Sequence, residues 1–149
     1  MDVGCYCVSG SRLLAGEPES VFGAARIGET GTDWVFTGLM RLPGDVLAQF
    51  DCGTALPERD ELEAIGSEGS LFLDDPWHCR KPGIELRRCG EVESIEIELL
   101  DSYRLELENL GDAIRGEGKP LLGRDDALAQ ARVIEALFRS AESGATVSL

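Results

Sequence analysis

The feature that most constrains the fold is a run of alternating residues between positions 34 and 52 of the 149-residue chain. Apolar side chains or glycine occupy every second position of residues 34–42, and residues 46–52 repeat the alternation after Pro43-Gly44-Asp45. A period of two is typical of β-strands, and a proline-glycine turn between two such runs predicts a β-hairpin. We therefore expect antiparallel β-structure.

Two further hairpins follow along the chain. Residues 61–66 and 70–73 flank Ser67-Glu68-Gly69, and residues 84–89 and 92–99 flank Gly90-Glu91. In the last run, apolar residues alternate with Ser94, Glu96 and Glu98. This pattern predicts one antiparallel sheet with a covered face and a more polar face.

Three segments are typical of helices. Residues 3–14 are mostly apolar and end at Gly16-Glu17-Pro18, which predicts a short buried helix with Asp2 as its N-terminal cap. A second helix follows Asp101 and Ser102, and a third runs from Asp125 to about Ser143. The apolar positions of the second helix are Tyr103, Leu107, Leu110 and Ile114.

Residues 146–149 are predicted to return as an edge strand. The resulting fold class is α+β, a mostly antiparallel open sheet with helices packed on one face, in one domain over residues 1–149.

The charge and the cysteine content exclude several functions. Fourteen basic and 28 acidic residues give a net charge of −14, which disfavours nucleic acid and anionic membranes as partners. No apolar run approaches the ~20 residues of a membrane span, and no secretory signal is recognisable, so we expect a cytoplasmic protein. Five cysteines form no framework and predict reduced thiols. Trp77-His78-Cys79 lacks a second ligand pair, so no metal site is predicted.

Several short segments in chain order carry a family resemblance. They are residues 1–6, 11–18, 32–33, 43–44, 65–69 with 71–73, 103–109 and 126–137. Together they resemble the C-terminal domain of the Gfo/Idh/MocA oxidoreductase family over essentially the whole chain. The resemblance implies the sheet-and-helix fold shared with the corresponding domain of glyceraldehyde-3-phosphate dehydrogenase. It also implies NAD or NADP in the full-length enzyme, bound by an N-terminal Rossmann domain that this chain does not contain.

The glycine-rich loop and the lysine of that Rossmann domain are not found here. Gly28-Glu29-Thr30-Gly31 lacks the required spacing and the strand-to-helix context. We therefore expect no cofactor site in this chain and no activity from it alone.

Asp2 and Tyr6 are four residues apart, which places them on one face if the first helix begins near Asp2. The family pattern is an aspartate, three residues, then histidine or tyrosine. The tyrosine form resembles glucose-fructose oxidoreductase, dihydrodiol dehydrogenase and some xylose dehydrogenases. A phenol accepts a proton at neutral pH only beside a cation, a role that the resemblance gives to the absent lysine.

The resemblance thus implies that Tyr6 and Asp2 are catalytic, with Asp2 orienting the substrate hydroxyl or the lysine. Arg12 is the cation of the first helix and either binds substrate or pairs with an acid. The alternative for Tyr6 is a core aromatic residue.

The favoured hypothesis is the substrate-binding and dimerisation domain of an NAD(P)-dependent dehydrogenase. Its substrate class would be a sugar, polyol or diol, and its partners a Rossmann domain and a second copy across the sheet face. The alternative is a non-catalytic binding or oligomerisation module. A hydrolase is disfavoured because His78 has no companion nucleophile motif.

Overall fold

The strands of the described chain pair only antiparallel, and they form two four-stranded sheets where the sequence predicted one. The computed structural model describes residues 1–81 and 83–149. The α+β class is confirmed, with three helices beside open antiparallel sheets. None of the described helices combines the length and apolar content that crossing a bilayer requires.

The first sheet has the strand order β3-β2-β1-β8 and the second has the order β4-β5-β6-β7. The helices are α1 (Gly4–Ala15), α2 (Ser102–Arg115) and α3 (Arg124–Ser143). The strands are β1 (Ser20–Ile27), β2 (Asp33–Leu42), β3 (Val46–Cys52), β4 (Glu61–Ile65), β5 (Ser70–Asp74), β6 (Ile84–Arg88), β7 (Glu91–Ile95) and β8 (Val147–Ser148). All three predicted hairpins and the edge strand β8 are confirmed, although β7 ends at Ile95 rather than at Leu99.

Internal packing divides the chain into two units, which are described separately. Unit 1 comprises residues 1–57 and 122–149, and unit 2 comprises residues 58–121. Unit 1 holds the first sheet with α1 and α3, and unit 2 holds the second sheet with α2. One domain over residues 1–149 stays a prediction.

The core of unit 1 lies between the first sheet and its two helices. The even positions of β2 from Phe36 to Leu42 are buried, and Val8 of α1 and Leu137 of α3 are fully buried against them. A Cβ at Gly23 would lie 2.6 Å from the Leu137 carbonyl oxygen, so glycine allows α3 to approach β1 closely. Burying Phe36 or Leu137 contributes roughly 1.5–3 kcal/mol each.

The other face of this sheet carries no helix of unit 1, as the sequence predicted. Phe22, Leu39 and Leu47 are exposed there on three neighbouring strands. The register places Phe22 opposite Leu39, so two of these apolar side chains are cross-strand neighbours.

Strand β1 was not predicted. Its inward positions are Val21, Gly23 and Ala25, and two of them have little or no side chain. Gly23 pairs with Gly38 of β2. Small residues give a weak alternation signal, and pairing with the strongly patterned β2 makes this segment a strand.

In unit 2, one face of the sheet carries a charged network. The Arg87 guanidinium lies 4.2 Å from the centroid of Phe72 and donates to Glu85 and Glu63. Cross-strand neighbours of opposite charge stabilise sheets by about 0.2–1 kcal/mol per pair.

Helix α2 begins as predicted but is not packed as predicted. The Asp101 carboxylate accepts from the backbone N–H groups of Tyr103 and Arg104, and Gly116 ends the helix with a left-handed conformation. None of its 14 residues, Ser102 to Arg115, is buried. Its apolar side therefore faces solvent.

Candidate active-site helix

Helix α1 is anchored at its first turn to the rest of unit 1. A Cβ at Gly4 would lie 2.6 Å from Cys52 Sγ, so only glycine lets the helix approach β3 this closely. The Gln130 amide of α3 donates to the Cys5 carbonyl oxygen at 2.8 Å.

Burial raises the pKa of the Cys52 thiol to about 12 and keeps it protonated at neutral pH. All five cysteines are free, as predicted.

The prediction that Asp2 caps α1 is wrong. The helix begins at Gly4, the N-terminal cap residue is Val3, and no side chain caps it. Val3 already has helical dihedral angles (φ −88°, ψ −22°), so the turn at Asp2 precedes the position from which a carboxylate could cap. Asp2 is exposed, and its carbonyl oxygen accepts from the Cys5 thiol at 3.0 Å.

Tyr6 lies in the first turns of α1 with 48% of its surface exposed. It is therefore not the core aromatic residue that the alternative hypothesis required. Tyr6 lies in α1 but Asp2 precedes the helix, which begins at Gly4, so the condition for their sharing a helical face is not met; both residues are exposed. Their catalytic role stays a prediction.

Arg12 is the residue that fixes the other end of α1. Its side chain is only 5% exposed. Nε and Nη2 donate to the two carboxylate oxygens of Glu17 at 2.9 and 2.7 Å, and Nη1 donates to Gln130 Oε1 at 2.8 Å. Nη2 also donates to Asp126 Oδ1 at 2.9 Å.

Of the two uses predicted for Arg12, pairing with acids is confirmed, at a buried rather than a surface position. The Glu17 hydrogen bond raises the pKa of Arg12, and the same bond lowers the pKa of Glu17. Substrate contact by Arg12 stays a prediction, and the geometry gives its guanidinium protein acceptors instead. Sequence reasoning missed Asp126 because it lies 114 residues away along the chain.

Unit 2 holds a second charged cluster, which sequence reasoning set aside. One ligand atom each of Asp60, Asp75 and His78 lie within 4.8 Å of one another, a distance compatible with a metal ion. Asp75 is 4% exposed, and its Oδ2 accepts from Arg80 Nε at 2.9 Å. His78 Nδ1 lies 2.9 Å from Asp75 Oδ1.

The Arg80 guanidinium already balances this cluster. Its hydrogen bonds hold the pKa of Asp75 well below the usual range of an aspartate, with the His78 bond adding to the effect. A metal ion at this cluster would compete with Arg80 for the Asp75 carboxylate. The spacing Asp75, His78 and Arg80 was the available sequence signal for an ionic loop.

The segment Gly28-Glu29-Thr30-Gly31 does not have the geometry of a phosphate-binding loop. Gly28 and Gly31 belong to a tight turn, in which Gly31 N–H donates to the Gly28 carbonyl oxygen at 3.0 Å and the two flanking strands are antiparallel. Phosphate loops instead join a strand to a helix whose N-terminus faces the phosphates. The Gly28–Gly31 turn differs from such a loop because it joins two antiparallel strands, β1 and β2.

Sequence comparisons identify relatives of this chain. The family profile described as the GFO/IDH/MocA C-terminal domain matches residues 1–72. D-xylose 1-dehydrogenase (NADP(+)) 2 of Haloferax volcanii is 29% identical over 155 aligned positions, covering 100% of this chain and 47% of the relative. The uncharacterized oxidoreductase ORF334 of Rhizobium meliloti is 31% identical, covering 96% of this chain and 46% of the relative. Human trans-1,2-dihydrobenzene-1,2-diol dehydrogenase is 31% identical, covering 53% of this chain and 24% of the relative.

Solved structures share the fold. The aldose-aldose oxidoreductase of Caulobacter crescentus, complexed with glycerol, superposes with a TM-score of 0.89 at 23% identity, covering 100% of this chain and 47% of that chain. An oxidoreductase from Agrobacterium radiobacter, in complex with NAD+, L-tartaric acid and magnesium, has a TM-score of 0.78 at 16% identity, covering 99% and 48%.

The chain spans about half the length of the first two of these sequence relatives. The profile match agrees with the resemblance of residues 1–6 and 11–18, and these two relatives, aligned over nearly the whole chain, also span residues 103–109 and 126–137. The chain is therefore similar to the Gfo/Idh/MocA oxidoreductase family, and its residues 1–72 match the model of that family's C-terminal domain.

Proposed function

We propose that this chain is the substrate-side half of an NAD(P)-dependent oxidoreductase that acts on a hydroxyl group of a sugar, polyol or diol. The observation that carries the proposal is the exposed Tyr6 on an anchored helix of a chain whose residues 1–72 match the C-terminal domain of this family. The relatives named for xylose and dihydrodiol substrates support the substrate class.

Tyr6 is assigned the role of general base, which accepts the proton of the substrate hydroxyl. Asp2 is assigned the role of orienting that hydroxyl. A general base must reach the proton that it removes, and an exposed phenol at the start of α1 can do so where a buried one cannot. Arg12 is assigned a positioning role, because its contacts with Glu17 and Asp126 hold α1 in place.

Binding of NAD or NADP is assigned to a nucleotide-binding half outside this chain. We expect the isolated chain to bind neither dinucleotide and to have no dehydrogenase activity. Isothermal titration calorimetry with each dinucleotide tests this, and a dissociation constant below roughly 100 μM would contradict the assignment.

The test of Tyr6 is Tyr6→Phe in a protein that joins this chain to the nucleotide-binding half of a relative. The change should lower kcat by roughly a hundredfold or more with a much smaller effect on KM, the size expected for a general base. Thermal unfolding of the isolated variant is the control. Its free energy of unfolding should differ from that of the wild-type chain by less than about 0.5 kcal/mol, because Tyr6 is half exposed. A fully active variant would remove Tyr6 from the mechanism.

The open face of the first sheet is assigned to self-association. Phe22, Leu39 and Leu47 are exposed there and give an apolar patch that two copies could share. Light scattering at tens of micromolar should show a dimer, and Leu39→Arg should convert it to a monomer. A monomeric wild-type chain would argue against the assignment, because a contact of about 1,000 Å² should persist at that concentration.

A further inference from the structure

Helix α2 carries an exposed apolar stripe, formed by Tyr103, Leu107, Leu110 and Ile114 and called here the α2 stripe. Their exposed fractions are 64%, 68%, 51% and 78%. Residues three and four apart on a helix lie on one face, so the four side chains form one continuous surface. An amphipathic helix normally buries this face.

The contacts of α2 within unit 2 leave the stripe open. The Asn109 amide donates to the Lys119 carbonyl oxygen and accepts from Leu121 N–H, so the segment after α2 folds back along another side of the helix. Asn109 itself lies more than a quarter turn from the stripe on an ideal helix.

The two arginines of the helix already have partners on or next to it. Arg104 pairs with Glu108 at 3.4 Å, and Arg115 pairs with Asp112. The stripe therefore has an apolar centre, and Glu106 beside it has no ion pair among the described residues. A complementary partner surface would be apolar at its centre, with a polar or basic rim near Glu106.

We propose that the α2 stripe is the docking surface for the nucleotide-binding half of the same enzyme. The inference rests on the proposed function, which supplies that half. The matched relatives are about twice as long as this chain, so each carries about as much additional polypeptide outside the matched region.

The size of the stripe favours this occupant over a second copy. Four side chains of these sizes, exposed to these fractions, present roughly 400 Å². A stable pair of separate chains buries about 800 Å² on each partner. Contacts between domains of one chain bury about 600–1,500 Å² in total, and a covalent tether raises the effective concentration to about the millimolar range. The α2 stripe by itself is large enough for a tethered contact, whereas a free dimer needs a broader surface such as a whole sheet face.

The test compares hydrogen exchange of the α2 amides in three samples. They are the 149-residue chain alone, this chain mixed with the nucleotide-binding half of the Rhizobium meliloti relative, and the two parts joined in one polypeptide. We expect exchange in α2 to be at least about tenfold slower in the joined protein than in the chain alone.

Leu107→Arg on the stripe should abolish this protection. Leu105→Arg makes the same chemical change on the opposite side of α2, where Leu105 is 42% exposed, and should retain it. Both leucines are exposed, so both variants should fold, as circular dichroism can verify. Ile114→Arg is a second stripe variant, at a side chain that is 78% exposed.

Equal exchange rates in all three samples would overturn the proposal, as would equal effects of Leu107→Arg and Leu105→Arg. Protection that grows with the concentration of the chain alone would overturn it in favour of a second copy. A joined protein without dehydrogenase activity but with a protected α2 would contradict the proposed function and keep the docking surface. An active joined protein with an unprotected α2 would contradict the docking surface and keep the proposed function.

Discussion

Replacing Arg12 by methionine should destabilise unit 1 by about 1.5–3 kcal/mol. Methionine retains an unbranched apolar stem at a side-chain position that is 5% exposed, so the change removes the guanidinium without opening a large cavity. The lost contacts are two hydrogen bonds to Glu17, one to Gln130 and two to Asp126, at its Oδ1 and its carbonyl oxygen.

The exposure of the partners sets the magnitude. Glu17 and Asp126 are 60% and 35% exposed, so both remain hydrated in the variant and each ion pair counts for about 0.2–1 kcal/mol. The Gln130 amide oxygen loses its bond from the charged guanidinium, and because Gln130 is only partly buried this loss costs about 1 kcal/mol. Fully buried partners would have cost about 3–5 kcal/mol.

The assay is urea unfolding followed by the fluorescence of Trp34, which lies in unit 1, in a Trp77→Phe background. A loss of 2 kcal/mol corresponds to a fall in Tm of about 4–8 °C for a protein of this size. Arg41→Met is the matched control, because Arg41 is 53% exposed and its partner Asp45 is 95% exposed. We expect the control to cost less than about 0.5 kcal/mol.

Two results would refute this reasoning. The urea midpoint of Arg12→Met could equal that of the wild-type chain, which would mean that the Arg12 contacts contribute nothing to stability. Alternatively, Arg41→Met could cost as much as Arg12→Met, which would mean that the burial of the guanidinium does not matter.

Three further predictions concern buried contacts. Ser140→Ala should cost about 1–3 kcal/mol in urea unfolding, because the hydroxyl accepts from Gly23 N–H and donates to the Ala145 carbonyl oxygen. Gly23→Ala should cost about 1–3 kcal/mol by forcing α3 away, whereas Gly118→Ala, with open space around its Cβ, should have little effect on Tm. Asp75 has a lowered pKa, so its stabilisation is present above about pH 4 and is lost as the pH falls towards the folded-state value. Asp75→Asn should therefore flatten the decrease in unfolding free energy between about pH 4 and pH 2.5, and an unchanged decrease would assign it to other groups.

The local structure was largely predictable because its signals lie within a few residues of one another. The alternation of residues 34–52 around Pro43-Gly44 predicted the β2–β3 hairpin, and the register confirms it. Asp101 predicted the start of α2 because a carboxylate at that position can accept from two backbone N–H groups, as it does.

The candidate site was predictable in part. The position of Tyr6 on the first helix followed from the family pattern, and its exposure agrees with the role proposed for it. The capping role of Asp2 failed because Val3 adopts helical angles, which a sequence pattern does not specify. The Asp75–Arg80 cluster was missed because an irregular loop brings its members together.

The sequence by itself determined most of the segments that become helices and strands, since propensity, capping and periodicity are local properties; β1 is the exception, because it is a strand through its pairing with β2. Only the tertiary structure decided which faces are buried. Helices α2 and α3 are both amphipathic, yet α3 packs Leu137 into the core while α2 exposes Leu107. Burial depends on which surface lies opposite, and that surface comes from distant parts of the chain. Arg12 shows the same dependence. A cation in an apolar helix forms a buried ion pair only when the fold brings an acid beside it, and Asp126, 114 residues away, lies 2.9 Å from the guanidinium.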